Sequence, residues 1–286
     1  MDTTAKPVLI GQGLIFAEGL NFDRDGTLYC VDVEGGGVWR MLPGGPLQEW
    51  VRTGGRPNGS RFGPDGDLFV ADCGRKAILR FSTATGQETL YAEQYDGVPF
   101  LGPNDLCFGP DGTLYFTDPA GSSLTRQIGS VYAVAPDGVV RRIATELAFP
   151  NGLAVTPDGS VLVVGETHTG TLHRYCLDAN HRHEEMDALT TLSPAREPDA
   201  TGANDAGPDG IAFGADGNLY VAHYNGGVVR VIGCDGTIVA SLPAGGPTPT
   251  NVGFWQDKLY VTEGTSGAVY RLSIGVGEHR PFIRPW

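Results

Sequence analysis

Six oxygen-bearing side chains stand at the head of apolar runs. Glu18 precedes Gly-Leu-Asn-Phe, Asn58 precedes Gly-Ser-Arg-Phe, and Asn104 precedes Asp-Leu-Cys-Phe. Asn151 precedes Gly-Leu-Ala-Val, Asp209 precedes Gly-Ile-Ala-Phe, and Asn251 precedes Val-Gly-Phe-Trp. Such residues disfavour strands, and burying them is costly unless their oxygens are satisfied. Two carboxylates with four amides form a hard oxygen donor set. A divalent cation answers that need, since calcium takes about six to eight oxygen ligands. The chemistry ranks calcium first, then magnesium or manganese, with zinc last because it prefers His or Cys. A turn-capping role explains one Asn-Gly well, but six aligned positions poorly.

The elements that would position these residues form a repeat. From each polar residue the chain reads apolar run, turn, apolar run, as in "NDLCFGPDGTLYFTD" from Asn104 and "DGIAFGADGNLYVAH" from Asp209. The copy from Asn251, "NVGFWQDKLYVTE", is shorter and lacks the Asp-Gly turn. A third strand follows in each unit ("GVWRML", "AILRFS", "SVYAVA", "TLHRYC", "GVVRVI", "AVYRLS"), and in most a fourth. Asp-Gly and Gly-Gly separators suit hairpins. Six such units predict an all-β fold, a six-bladed β-propeller of four-stranded antiparallel blades, with residues 1–286 as a single domain. The first strand of each unit is expected innermost, so the six polar residues converge at one mouth of the central channel. Either "KPVLIGQG" or the C-terminal "EHRPFIRPW" is expected to complete the sixth blade.

Composition supports many short strands: 286 residues, 41% apolar, with 43 Gly and 20 Pro. A formal charge of −13 repels phosphate backbones and anionic lipid, which argues against nucleic acid and membrane as partners. Five widely spaced cysteines, with no CxxC pair, argue against a disulfide framework and a zinc site. No signal-peptide pattern or long apolar span is visible, so a cytoplasmic location is expected.

Other chemistries find little footing. There is no GxSxG and no phosphate-binding GxxxxGK[ST] motif. His168 and His223 fall at or near the ends of second strands, where other units carry Asp32, Asp72, Asp118 and Glu263. That set is expected to form a structural belt, with a substrate contact by His223 as the alternative. His173 is expected on a blade surface, and His181 and His183 in an exposed insertion.

The motifs "AEGLNFDRDGTLYCVD", "RPNGSRFGPDGDLFVAD", "GPNDLCFGPDGTLYFTDP", "FPNGLAVTPDG" and "GPDGIAFGADGNLYVAHY" resemble the SMP-30/gluconolactonase/LRE-like family, over about Glu18 to Leu272. The resemblance implies a six-bladed propeller with a divalent cation, usually calcium, in the channel. It also implies lactonase or organophosphate hydrolase activity. It places metal ligands at Glu18, Asn104, Asn151 and Asp209, with Asn58 and Asn251 lining the same mouth. Animal members carry an Arg two residues before the third-blade Asn; here that place is Gly102, and the pattern looks more like bacterial gluconolactonases.

The leading expectation is therefore a metal-dependent hydrolase of a sugar-acid lactone, a small-molecule substrate. The ion would polarise the carbonyl, with Asn104 and Asn151 holding the geometry and Asp209 assisting water attack. Asp105 is an alternative base, and direct carboxylate attack an alternative route. Arg56, Asn58, Asn104, Asp105, His223 and Asn251 are the candidate substrate contacts. Phosphotriester or fluorophosphate hydrolysis at the same ion is a second reading, and a non-catalytic scaffold a third.

Overall fold

The computed structural model describes residues 1–177, 183–192, 206–277 and 279, with the backbone alone over 183–186. Strands dominate and no helix occurs among the described residues. In the first five units an Asp-Gly dipeptide (25–26, 65–66, 111–112, 158–159 and 216–217) closes a tight hairpin between the first and second strands. At Asp111-Gly112 the carboxylate accepts the Thr113 N–H (2.9 Å) while Gly112 takes φ +84°, a conformation that costs a glycine little. In the sixth unit Gln256 must adopt φ +56° instead.

The strands assemble into six antiparallel four-stranded sheets, each one blade. The innermost strands are Ala17–Phe22, Pro57–Phe62, Leu106–Phe108, Pro150–Val155, Gly207–Phe213 and Pro249–Trp255. They touch in cyclic order from blade 1 to blade 6 and back to blade 1. Closure comes from the N-terminal side: Val8–Gln12 pairs with Ala268–Leu272 as the outer strand of blade 6. Most of the competing C-terminal segment lies outside the described residues, as does His181.

The core is distributed between blades rather than gathered at one centre. Six apolar clusters each bridge two neighbours: Tyr29, Val31 and Val38 of blade 1, for example, meet Leu68, Val70 and Leu79 of blade 2. Burial of each such Leu or Val stabilises by roughly 1.5–3 kcal/mol, so every blade depends on both neighbours. All five cysteines are free, and Cys30 and Cys107 are buried within strands, as expected of small apolar residues. No helix among the described residues is long and apolar enough to cross a membrane.

Candidate functional site

Strand register shows which residues are equivalent. Ala17 pairs with Asp32, Pro57 with Asp72, Pro150 with Glu166, Pro208 with His223 and Pro249 with Glu263. The next residue in each copy is the ring position: Glu18, Asn58, Asn151, Asp209 and, in blade 6, Thr250. Asn104, after Pro103, completes the set. The expected equivalence of Asn251 is thus one residue off. Thr250 holds the ring position, fully buried, and donates to the Ala17 carbonyl (2.7 Å).

The following position is glycine in four blades, because neighbouring inner strands leave no room. A Cβ on Gly152 would lie 2.1 Å from the Asp209 carbonyl, and one on Gly210 2.5 Å from Asn251 Cγ. The exceptions are Asp105 in blade 3 and Asn251 in blade 6. These blades face each other across the axis, and the two side chains meet there: Asn251 Nδ2 donates to Asp105 Oδ2 (3.4 Å). The same Nδ2 donates to Glu18 Oε2 (3.2 Å), which also accepts the Gly19 N–H (2.8 Å). Asp105 Oδ1 accepts the Leu106 N–H (2.8 Å).

Glu18, Asp105 and Asp209 therefore form a buried acidic cluster. Burial, then the nearby Asp105, push the Glu18 carboxyl up to about 8. Burial, then Glu18 and Asp105, hold Asp209 well above the usual carboxylate range. Burial also raises Asp105, although the Arg61 guanidinium opposes it. Like charges at short range in a dry site resist joint ionisation. The amides supply the other half of the donor set. Asn104 Oδ1 and Asn58 Oδ1 are buried with no hydrogen-bond partner. The Asn151 amide NH2 donates to Thr167 Oγ1 (3.2 Å), and the Asn151 side chain hydrogen-bonds Asp209.

These residues fit a divalent cation. Orphaned buried carbonyl oxygens beside unneutralised carboxylates cost free energy that a hard cation removes. Glu18, Asn104, Asn151 and Asp209 would hold it, with Asn58 at the margin. Glu18 Oε2 also accepts the Gly19 N–H and the Asn251 amide, which orient the carboxylate. Among the described residues no three His, Cys, Asp or Glu side chains form a metal-holding group by themselves.

The second-strand acids form a belt that fastens the loops entering the inner strands. Asp32 accepts the Ile15 and Phe16 N–H groups, Asp72 that of Arg56, and Asp118 those of Leu101 and Gly102. Glu263 holds Thr248, and Glu166, rather than His168, holds Ala148. His173 Nε2 also bonds Glu166 (2.8 Å). His168 instead stacks on Phe149 (5.0 Å). His223 stands at the equivalent register position, opposite Pro208. It is fully buried, its Nδ1 accepts from Arg230 Nε (3.2 Å), and its Nε2 has no partner among the described residues. Arg56, the candidate cation for the pocket, is exposed and its Nη2 pairs with Glu34.

Arg61 was not anticipated. It follows Asn58 by three residues and its Nε reaches the Leu106 carbonyl (3.5 Å), beside Asp105. The signal was available: equivalent positions hold Asn21, Cys107, Ala154, Ala212 and Gly253, all uncharged. Arg61 also lines a cavity of about 560 Å³ at the opposite mouth, with Phe62, Cys107 and Phe254.

Comparisons with known proteins agree with this architecture. A family model described as SMP-30/Gluconolactonase/LRE-like region matches residues 16–265. The chain is 32% identical over 177 residues to a gluconolactonase of Zymomonas mobilis, a match covering 58% of this chain but only 48% of that protein. It is 33% identical to lactonase drp35 of Staphylococcus aureus, covering 80% of this chain and 70% of that one. Among solved structures, a gluconolactonase from Xanthomonas campestris superposes with a TM-score of 0.80 at 27% identity, over 94% of this chain and 89% of the other. The repeat, the six-bladed ring and these matches together show that the chain belongs to the SMP-30/gluconolactonase/LRE-like family.

Proposed function

We propose that the protein is a divalent-metal-dependent hydrolase that opens a lactone, with calcium the ion best suited to its donors. The observation that carries this reading is the convergence of Glu18, Asp105 and Asp209 with the orphaned Asn104 oxygen at one mouth, in a chain whose relatives include lactonases. A bound ion supplies Lewis acidity to the lactone carbonyl oxygen.

The chain's own residues do the rest. Asn104 and Asn151 fix the carbonyl relative to the carboxylates. Asp209 takes the proton of the attacking water. A cation weakens a neighbouring carboxylate as a base, while burial, then Glu18 and Asp105, act on Asp209 in the opposite direction. Asp105 has both oxygens engaged by Leu106 and Asn251, which suits an anchor better than a base. Water's oxygen bonds to the acyl carbon, the ring C–O bond breaks, and the leaving oxygen receives the proton. The product is a hydroxy-carboxylate.

The test is hydrolysis of D-glucono-1,5-lactone followed by pH-stat, in calcium and in excess chelator, with a phosphotriester run in parallel. Calcium-dependent lactone opening is expected. Turnover of the phosphotriester alone would move the assignment to that class, and equal lactone rates with and without chelator would refute the metal role.

A further inference from the structure

Beneath the ring lies a charge that no equivalent blade position carries. We propose that the Arg61 guanidinium, packed beside Asp105 under the acidic cluster, sets the valence of the ion that the ring prefers. This rests on the reading of the ring as a cation site.

Geometry places Arg61 there. It belongs to the inner strand Pro57–Phe62, which lies hard against Asp105: a Cβ on Gly59 would be 2.5 Å from Asp105 Oδ1. The Arg61 side chain reaches along this contact to the Leu106 carbonyl at 3.5 Å. No ion pair within 4.0 Å engages Arg61 among the described residues. Its guanidinium bonds the Leu106 carbonyl and acts electrostatically on Asp105, the carboxylate that joins it to the cluster.

Glu18, Asp105 and Asp209 carry three negative charges when ionised, and Arg61 returns one positive charge. The remainder is two negative charges, which a divalent ion balances. Without Arg61 the remainder is three, and a trivalent ion gains most from that change, because Coulomb energy scales with ion charge. Asp105 is the natural partner of this balance. Its oxygens are occupied by the Leu106 N–H and the Asn251 amide, so it contributes charge without direct ligation. The cavity at the opposite mouth hydrates Arg61 in part, which damps its field.

The experiment is calorimetric titration of chelated protein with calcium and with terbium(III), a trivalent ion of similar size and oxygen preference. The proteins are wild type, Arg61→Met, Arg61→Lys and Asp105→Asn, each checked by a melting curve. At an effective dielectric of ~20 and a separation on the order of 10 Å, Arg61→Met raises the terbium-to-calcium affinity ratio by on the order of ten-fold. Asp105→Asn lowers the ratio by a similar factor, and Arg61→Lys keeps it within about two-fold of wild type. An unchanged ratio in Arg61→Met, with calcium still bound, overturns the proposal. If Arg61→Met does not fold, an unchanged ratio in Asp105→Asn overturns it. A wild type that takes up neither ion overturns the cation site itself, and this inference with it.

Discussion

Chelated protein is expected to lose stability as pH rises from 6.5 to 8. The Glu18 carboxyl, ordinarily near 4.5, is pushed up to about 8 by burial and Asp105. A carboxyl that holds its proton more tightly when folded stabilises fully below its unfolded value, and that contribution disappears as pH climbs through the folded value. At about 1.4 kcal/mol per pH unit, Glu18 alone accounts for roughly 2 kcal/mol between 6.5 and 8. Asp209 acts with the same sign. His223 acts oppositely: burial and Arg230 lower it from 6.5 to about 4, so its contribution grows as pH rises from 4 to 6.5. Above 6.5 the carboxyls are unopposed by it. For a chain of this size, 2 kcal/mol corresponds to a fall of roughly 3 °C in melting temperature. Saturating calcium keeps the cluster ionised, so the same scan in calcium should be flatter and higher. The assay is a pair of melting series, in chelator and in calcium, at quarter-unit pH steps. A chelated melting temperature that stays level or rises from 6.5 to 8 would refute the buried acidic cluster.

Further expectations test the frame around the site. Gly152→Ala drives a methyl into the Asp209 carbonyl 2.1 Å away, and should cost about 2 kcal/mol or more in urea unfolding; wild-type stability would contradict the close strand approach. Thr250→Val removes the donor to the Ala17 carbonyl and should cost about 1–2 kcal/mol by the same assay, with an unchanged midpoint counting against the corrected register. Glu263 is lowered despite its burial, because hydrogen bonds from Ser266 and Thr248 favour the charged form. Its contribution is present above pH 4.5 and lost as pH falls further, so Glu263→Gln should flatten the acid limb of the stability curve; an unaltered limb would sink the belt role.

Much of the site was legible because the fold is a repeat. One polar residue per copy, at a fixed place before an apolar run, singled out Glu18, Asn104, Asn151 and Asp209, and the structure brings Glu18, Asp209 and Asn151 within reach of one another. Repetition was misleading where a copy decayed. In blade 6 the missing Asp-Gly turn hid a one-residue shift, and Asn251 was taken for the ring residue. Pro249 was the cue, since Pro57, Pro103, Pro150 and Pro208 stand just before the ring in four other blades. The meeting of Asp105 with Asn251 was not legible, because it depends on two departures from glycine lying opposite each other across the axis. Arg61 was overlooked although its column was legible: the sign that marks it is a departure from the repeat, and the repeat itself points only to what the copies share. Blade closure by Val8–Gln12 required the strand pairing itself, since both chain ends offered apolar segments.

The account is tested most directly by lactone hydrolysis against ion equivalents. Chelated and desalted protein is given calcium in fractional equivalents, and the initial rate on D-glucono-1,5-lactone is read by pH-stat. The account predicts a rate that rises from background and breaks at about one equivalent, with Glu18→Gln and Asp209→Asn showing no such break. A rate independent of added calcium in the chelated wild type, or one preserved in both variants, would contradict it.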